Sequence, residues 1–478
     1  MLHPTSLPGP WGAGDIGLGA RRFVQWCESA GLRIWQMLPV NPPDGSGSPY
    51  ASPSAFARSP LLLSVDDLVR DGWLTRNERP FGANRGPRID HGHLARVKGR
   101  ALQRAAERVA RTVDLGPWLQ RHAWARDWSR FAAIVQAHGL IPDAWPAGLR
   151  HRDPEALSAF EDAHASAIQQ HTALQWLFTE QWAELRAEAA SRGVALWGDL
   201  PFFVGNHACD VWAHPHLFEV DVDLHPTLLT GVPPDAFSDD GQLWGTPHYR
   251  HEAHRDEDFT WWCDRLASTI ELFDVVRLDH FRGVAGVWQI PRGASAKEGA
   301  WVAGLGAPLL DAIQARLGRL PLIAEDLGII TPDVEALRDD YGLPGMSILQ
   351  FAFSGTPGDH PYLPHRHREN LVVFPGTHDN NTSAGWYTGA SPEVQHQVRR
   401  YFATDGTDPA GTLTRAAWAS TAHTAIVAMQ DLLRLDGSAR MNVPGQAYGA
   451  WSWRATGDAM SLELAGAIAD DLRLFGRR

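Results

Sequence analysis

Residues 273–283 read FDVVRLDHFRG, an apolar, β-branched run that ends on an arginine and an aspartate two positions apart. A continuous apolar run of this length suits a strand covered on both faces, as in a parallel sheet. Side chains alternate along a strand, so Arg277 and Asp279 share one face while Leu278 and His280 take the other. Runs of the same kind recur at RIWQMLPV (33–40), VALWGDLPFF (194–203), PLIAEDLG (321–328), MSILQFAF (346–353), NLVVFPG (370–376) and ARMNVPG (439–445). LHPTS (2–6) offers an eighth. Each is followed after a turn by a helical pattern, and about eight such units predict an α/β protein built as a closed (β/α)₈ TIM barrel. No C-terminal β-domain is visible.

With these strands the chain reads as one catalytic barrel domain over residues 1–478 with two insertions. ALQWLFTEQWAELRAEAASRG (173–193) is a barrel helix whose apolar face carries Leu174, Leu177, Phe178, Trp182 and Leu185, with Gly193 as its stop. The gap between the second and third strands is too long for one such helix, so residues 60–165 are expected to form an inserted helical subdomain. Within it, LARVKGRALQRAAERVARTV (94–113) is an arginine-rich amphipathic helix with a solvated face. A second insertion, 204–262, contains the loop from Thr230 to Tyr249, rich in glycine and proline, which is expected to be a lid, an inert surface loop being the alternative.

Composition narrows the function. The chain has 478 residues, 44% of them hydrophobic and 21% charged, which is enough for a large core. A net charge of −12 argues against nucleic acid or an anionic membrane as partner. No apolar run is long enough to span a bilayer, and the N-terminal residues lack a secretory pattern, so a cytoplasmic protein is expected. Cys27, Cys209 and Cys263 are widely separated, and the reading is of reduced structural thiols. The two lysines, Lys98 and Lys297, lie outside any phosphate-binding loop and in polar contexts that suit no cofactor lysine. Neither GxSxG nor HExxH occurs. Tryptophan is abundant, at 21 residues, and indole faces stack well on sugar C–H surfaces, although core packing explains most of them.

The chemistry sits where the strands end. Arg277 beside Asp279 favours the ionised carboxylate, as a nucleophile requires. In LIAEDLG the neighbours Glu325 and Asp326 cannot both face the mouth, and the longer Glu325 suits proton delivery to a leaving oxygen. FPGTHDNNT (374–382) breaks its strand at Pro375 and Gly376 and exposes His378 and Asp379, which suit hydrogen bonds to sugar hydroxyls. Asp199 closes a fourth strand in WGDLPFF. Taken singly, an acidic strand end is better explained by loop solvation or helix capping. Together they supply the paired carboxylates that cleavage of a glycosidic bond requires.

These stretches, with SPYASPSAFA (48–57), GVPPDAFSDDGQLWGTPHY (231–249), LIAEDLGIITPDV (322–334) and RMNVPG (440–445), resemble the 4-α-glucanotransferases of the amylomaltase, or disproportionating-enzyme, family, relatives of the α-amylases. The resemblance runs nearly end to end. It implies a retaining double displacement that moves a segment of an α-1,4-glucan to the 4-hydroxyl of another glucan or of glucose, in starch, glycogen or maltodextrin metabolism. Asp279 would be the nucleophile, Glu325 the acid/base and Asp379 the transition-state stabiliser. Arg277, His378 and Asp199 would hold the donor sugar, with Gln242, Trp244 and Tyr50 as further substrate contacts. Neither metal nor organic cofactor is implied, and a monomer or weak oligomer is expected. DGSGSPY (44–50), VGNHACDVW (204–212) and PGQAYGAWSWR (444–454) depart from the usual pattern without touching the three carboxylates. An amylase-like hydrolase and a noncatalytic glycan-binding protein are the rival readings.

Overall fold

The computed structural model describes residues 1–81, 86–234, 240–355, 358–446 and 449–477. Its strands are β1 (Ile34–Gln36), β2 (Ala195–Leu200), β3 (Leu228–Val232), β4 (Gln242–Pro247), β5 (Val275–Leu278), β6 (Gly286–Pro291), β7 (Ala300–Ala303), β8 (Leu322–Ala324), β9 (Gly345–Ile348), β10 (Leu371–Phe374) and β11 (Thr424–Ala425). Seven of them are parallel and fall into two arcs, β1-β2-β5-β8 and β9-β10-β11, with helices between successive strands. No continuous ladder closes the ring among the described residues, because the strands at the seams are two to four residues long. Single backbone bonds bridge the arcs instead. The Ala324 N–H donates to Pro344 O at 2.9 Å on one side. On the other, Leu2 N–H donates to Gln36 O and Met429 N–H to Met1 O, each at 3.0 Å.

Several runs read as strands behave differently. ARMNVPG contains no strand: a 3₁₀ turn at Gly437–Ala439 leads into irregular chain. The partner of β10 on that side is β11, from a stretch whose ladder is only two residues long. LHPTS folds as a 3₁₀ turn at Pro4–Ser6, and the main-chain bonds across this seam come from Met1 and Leu2 ahead of it. MSILQFAF is extended as far as Ile348 and then becomes a 3₁₀ helix over Leu349–Phe353.

The long gap after β1 is helical. His91–Thr112 is capped by Asp90, whose side chain accepts from the His93 N–H, and buries Leu94, Ala101, Leu102, Ala105, Ala106 and Val109 at helical spacing. It packs on Pro154–Ser191, a 38-residue helix with non-helical geometry at His164. The expected boundary at 165 therefore falls inside a helix, at its kink. Beyond the kink the helix buries Leu177, Phe178, Trp182 and Leu185 against the barrel, while Leu174 is half-buried. Lys98 is not in the polar setting its neighbours suggested. It is buried, and its Nζ donates to Leu61 O and Leu63 O at 2.6 Å each.

The Thr230–Tyr249 stretch, expected as an open loop, holds an antiparallel pairing of β3 with β4, extended by β6 and β7 into a four-stranded sheet over the barrel. Residues 235–239 of the expected lid lie outside the described residues.

Candidate active site

Asp199 on β2 and Arg277 on β5 are direct partners in the parallel ladder, so their side chains emerge on the same face. Arg277 is 5% exposed and forks between two carboxylates: Nη1 donates to Asp199 Oδ2 and Nη2 to Asp279 Oδ1, each at 2.7 Å. The Tyr50 hydroxyl adds a bond to Asp199 Oδ2 at 2.9 Å. Burial pushes the Asp199 carboxyl up, and the Arg277 charge opposes that shift. Its Oδ1 is buried without a protein partner. The close approach here depends on Gly198, because a Cβ at that position would lie 2.3 Å from the Phe273 ring.

Immediately after Asp279 the chain turns through His280, which has φ +53°. A left-handed conformation at a residue with a side chain costs on the order of 1–3 kcal/mol. What it achieves is a pair of bonds to the next strand end. The His280 N–H donates to Glu325 Oε2 at 2.8 Å, and the Phe281 N–H to the Glu325 main-chain oxygen at 3.1 Å. Glu325 and Asp279 therefore flank one peptide unit. Leu327 N–H donates to the other Glu325 oxygen at 3.1 Å. Despite these donors the Glu325 carboxyl is pushed up to about 8, burial being the largest cause, with Arg277 opposing and Asp279 adding to it. Asp326 turns the other way, where it pairs with Arg338 and accepts from the Met346 N–H at 2.7 Å.

The loop after β10 brings His378 and Asp379 to the same mouth. The His378 ring stacks on Tyr50 with centroids 5.1 Å apart, and Trp451 packs against both rings. Asp379 is the most open of the acidic groups, its side chain 43% exposed. Two neighbours of Asp379 were invisible in the sequence reading. Asn442 Nδ2 donates to Asp379 Oδ1 and Arg440 Nη2 to the Asp379 main-chain oxygen, each at 2.6 Å. Both lie in the segment read as a strand, some sixty residues downstream, and the quoted RMNVPG run was the available signal. Trp451, with φ +58°, belongs to the divergent PGQAYGAWSWR stretch, of which residues 447–448 lie outside the described residues.

Gln242 and Trp244 lie on β4. The Trp244 ring, 37% exposed, meets His280 edge-on at 4.8 Å and approaches Phe203 at 6.0 Å. Its Nε1 donates to Gln242 Oε1 at 3.1 Å. The sheet over the barrel thus touches the residue next to Asp279. The mouth gathers Tyr50, Asp199, Arg277, Asp279, Glu325, His378 and Asp379, with Trp244 and Gln242 at one wall. Among the described residues no group of three or more His, Cys, Asp or Glu is arranged to hold a metal ion.

Such a set can donate a proton from Glu325, attack with Asp279, and bond sugar hydroxyls through Asp199, His378 and Asp379. Comparison with known proteins agrees in kind. A family model described as 4-alpha-glucanotransferase matches residues 2–460. The 4-alpha-glucanotransferase of Thermus thermophilus is 42% identical over 480 residues, covering 97% of this chain and 95% of the relative. The chloroplastic/amyloplastic 4-alpha-glucanotransferase of Arabidopsis thaliana is 40% identical over 494 residues, covering 100% of this chain and 85% of the relative. Among solved structures, the amylomaltase of Streptococcus agalactiae in complex with acarbose superposes with a TM-score of 0.96 at 32% identity, covering 100% of this chain and 98% of that one.

Proposed function

The chain belongs to the 4-α-glucanotransferase family, and from that premise we propose that Asp279 is the nucleophile, Glu325 the acid/base and Asp379 the stabilising carboxylate of its transfer reaction. The enzyme moves a segment of an α-1,4-glucan to the 4-hydroxyl of another glucan by a retaining double displacement. In the first half, Glu325 gives its proton to the glycosidic oxygen as the bond from that oxygen to C1 breaks. An oxygen of Asp279 bonds to C1 from the opposite face, and the reducing-end fragment leaves. In the second half, the 4-hydroxyl of the acceptor attacks C1, its proton passes to Glu325, and the ester to Asp279 breaks. Asp199, Arg277, His378 and Tyr50 hold the donor sugar, the free Oδ1 of Asp199 accepting from one of its hydroxyls. Trp244 and Gln242 close over the acceptor and keep water from the ester, which favours transfer over hydrolysis.

The observation that carries these roles is the His280 peptide, which ties the residue after the nucleophile to the carboxyl of the acid/base at 2.8 Å. Incubation with maltotriose tests them. The wild type is expected to give glucose and a ladder of longer maltooligosaccharides, Asp279→Asn neither. Substantial turnover by Asp279→Asn would reject the nucleophile assignment. Reducing ends that rise without redistribution of chain length would favour an amylase-like hydrolase. Labelled glucose appearing in the ladder would establish it as an acceptor. A cytoplasmic location and a monomer or weak oligomer complete the reading. Fractionation and sedimentation velocity check them, and among the described residues no helix is long and apolar enough to cross a membrane.

A further inference from the structure

We propose that Arg440 is a positioning residue that fixes the Asp379 carboxylate in the mouth, an inference that rests on Asp379 being the stabilising carboxylate. The loop from Gly376 to Thr382 leaves the barrel as irregular chain, and Asp379 at its tip is half open to solvent. A carboxylate so placed has several rotamers, and stabilisation of a developing positive charge depends on holding one of them. Asn442 selects it through Nδ2, which donates to Asp379 Oδ1 at 2.6 Å. Asn442 is itself on irregular chain, so something must hold it.

Arg440 supplies that hold with both ends of its fork. Nη2 donates to the Asp379 main-chain oxygen and Nε to the Asn442 main-chain oxygen, each at 2.6 Å. The Asn442 N–H then returns to His378 O at 3.1 Å. One guanidinium thereby joins two loops whose side chains meet at Asp379, in a geometry a single ammonium cannot copy. The cation bonds to backbone oxygens and leaves the carboxylate itself unpaired by it. A positive charge beside an oxocarbenium-like centre brings no electrostatic benefit, so the role is geometric.

The test compares Arg440→Ala, Arg440→Lys and Asn442→Ala on maltotriose and on an α-maltosyl fluoride, whose leaving group needs no proton. If Arg440 positions Asp379, kcat for Arg440→Ala falls about 10–100-fold on both donors while KM changes by less than about threefold. Arg440→Lys falls between Ala and wild type. The Arg440→Ala/Asn442→Ala double variant is less impaired than the product of the two single losses, as expected for one network. A cationic iminosugar, which mimics the charge of the transition state, loses affinity in parallel with kcat/KM.

The inference is overturned by an unchanged kcat. It is equally overturned by a loss that disappears on the fluoride, which would place Arg440 in proton transfer, or by a lowered melting temperature with normal turnover per folded molecule. An Asp379→Ala control separates the premise: if that variant keeps full activity, the assignment of Asp379 has failed, whatever Arg440 does.

Discussion

Burial pushes the Glu325 carboxyl up to about 8, and two consequences of opposite sign follow. In the proposed role of general acid it must be protonated in the free enzyme, so kcat/KM on maltotriose is expected to fall as pH rises through about 8. On α-maltosyl fluoride the formation of the glycosyl-enzyme should lose that limb, which a pH profile of fluoride release measures. For stability, the folded chain holds this proton where the unfolded chain has released it, so the contribution is fully present below the ordinary value of 4.5 and is lost as pH rises towards 8. Glu325→Gln, neutral at every pH, should therefore melt a few degrees higher than wild type at pH 8 and show no gain at pH 4. A melting-temperature difference that does not change with pH would contradict the burial argument. Asp279 and Glu325 stand out in the sequence because each follows directly on an apolar strand, where alternation fixes the face, and Asp379 because the strand before it breaks at Pro375 and Gly376. Asn442 and Arg440 do not: they reach Asp379 from irregular chain, and no periodicity marks a side chain that arrives by a turn.

At the level of elements, the failures of sequence reading have two causes, short ladders and turn-forming residues inside a strand. β11 has two ladder residues, too few for a run, and β4 carries Gly245 and Pro247, which punctuate like a loop although the strand pairs with β3. The hairpin makes its own prediction. Trp244 reaches His280 from β4, so Trp244→Ala should open the wall beside Asp279 and raise the ratio of reducing ends formed to glucosyl units transferred, with chain cleavage reduced less than transfer. An unchanged ratio would remove Trp244 from the exclusion of water. The helix His91–Thr112 makes another, because Lys98 anchors it to the Pro60–Leu62 turn and its cap through the carbonyls of Leu61 and Leu63. Lys98→Met strands both, at a cost of about 1–3 kcal/mol in urea unfolding at pH 7. Burial lowers the Lys98 pKa, so the folded wild type binds this proton less tightly than the unfolded chain does. Wild-type stability from this group rises with pH towards 10.5, and the deficit of Lys98→Met should widen over that window.

Across the whole molecule, the two insertions are not separate appendages. The barrel core runs from Leu2 to Leu472 and includes Ala101, Leu102 and Val109 of the inserted helix. A second core joins Trp128, Phe131, Trp145, Leu149 and Phe160 from the first insertion to Cys209, Trp212 and Leu224 from the second. Trp212 is its centre. Arg152 lies over its ring at 4.2 Å, Phe131 is 5.9 Å away, and its Nε1 donates to Leu149 O at 2.9 Å. Trp212→Ala should cost about 3–5 kcal/mol. The loss should be local, because the helix Pro154–Ser191 gives Phe160 to this core and Leu177 and Trp182 to the barrel on the far side of its kink. Hydrogen exchange should accelerate over Trp124–His138 and Cys209–Ala213 while β5 and β8 keep their protection. The segment that follows Trp212 also supports the hairpin, through Glu219 N–H to His248 O at 2.8 Å, so loosening it should raise the hydrolytic share as Trp244→Ala does. Exchange that rises equally in β5 would mean that the two cores melt as one, and the wall over the mouth would then owe its rigidity to the barrel alone.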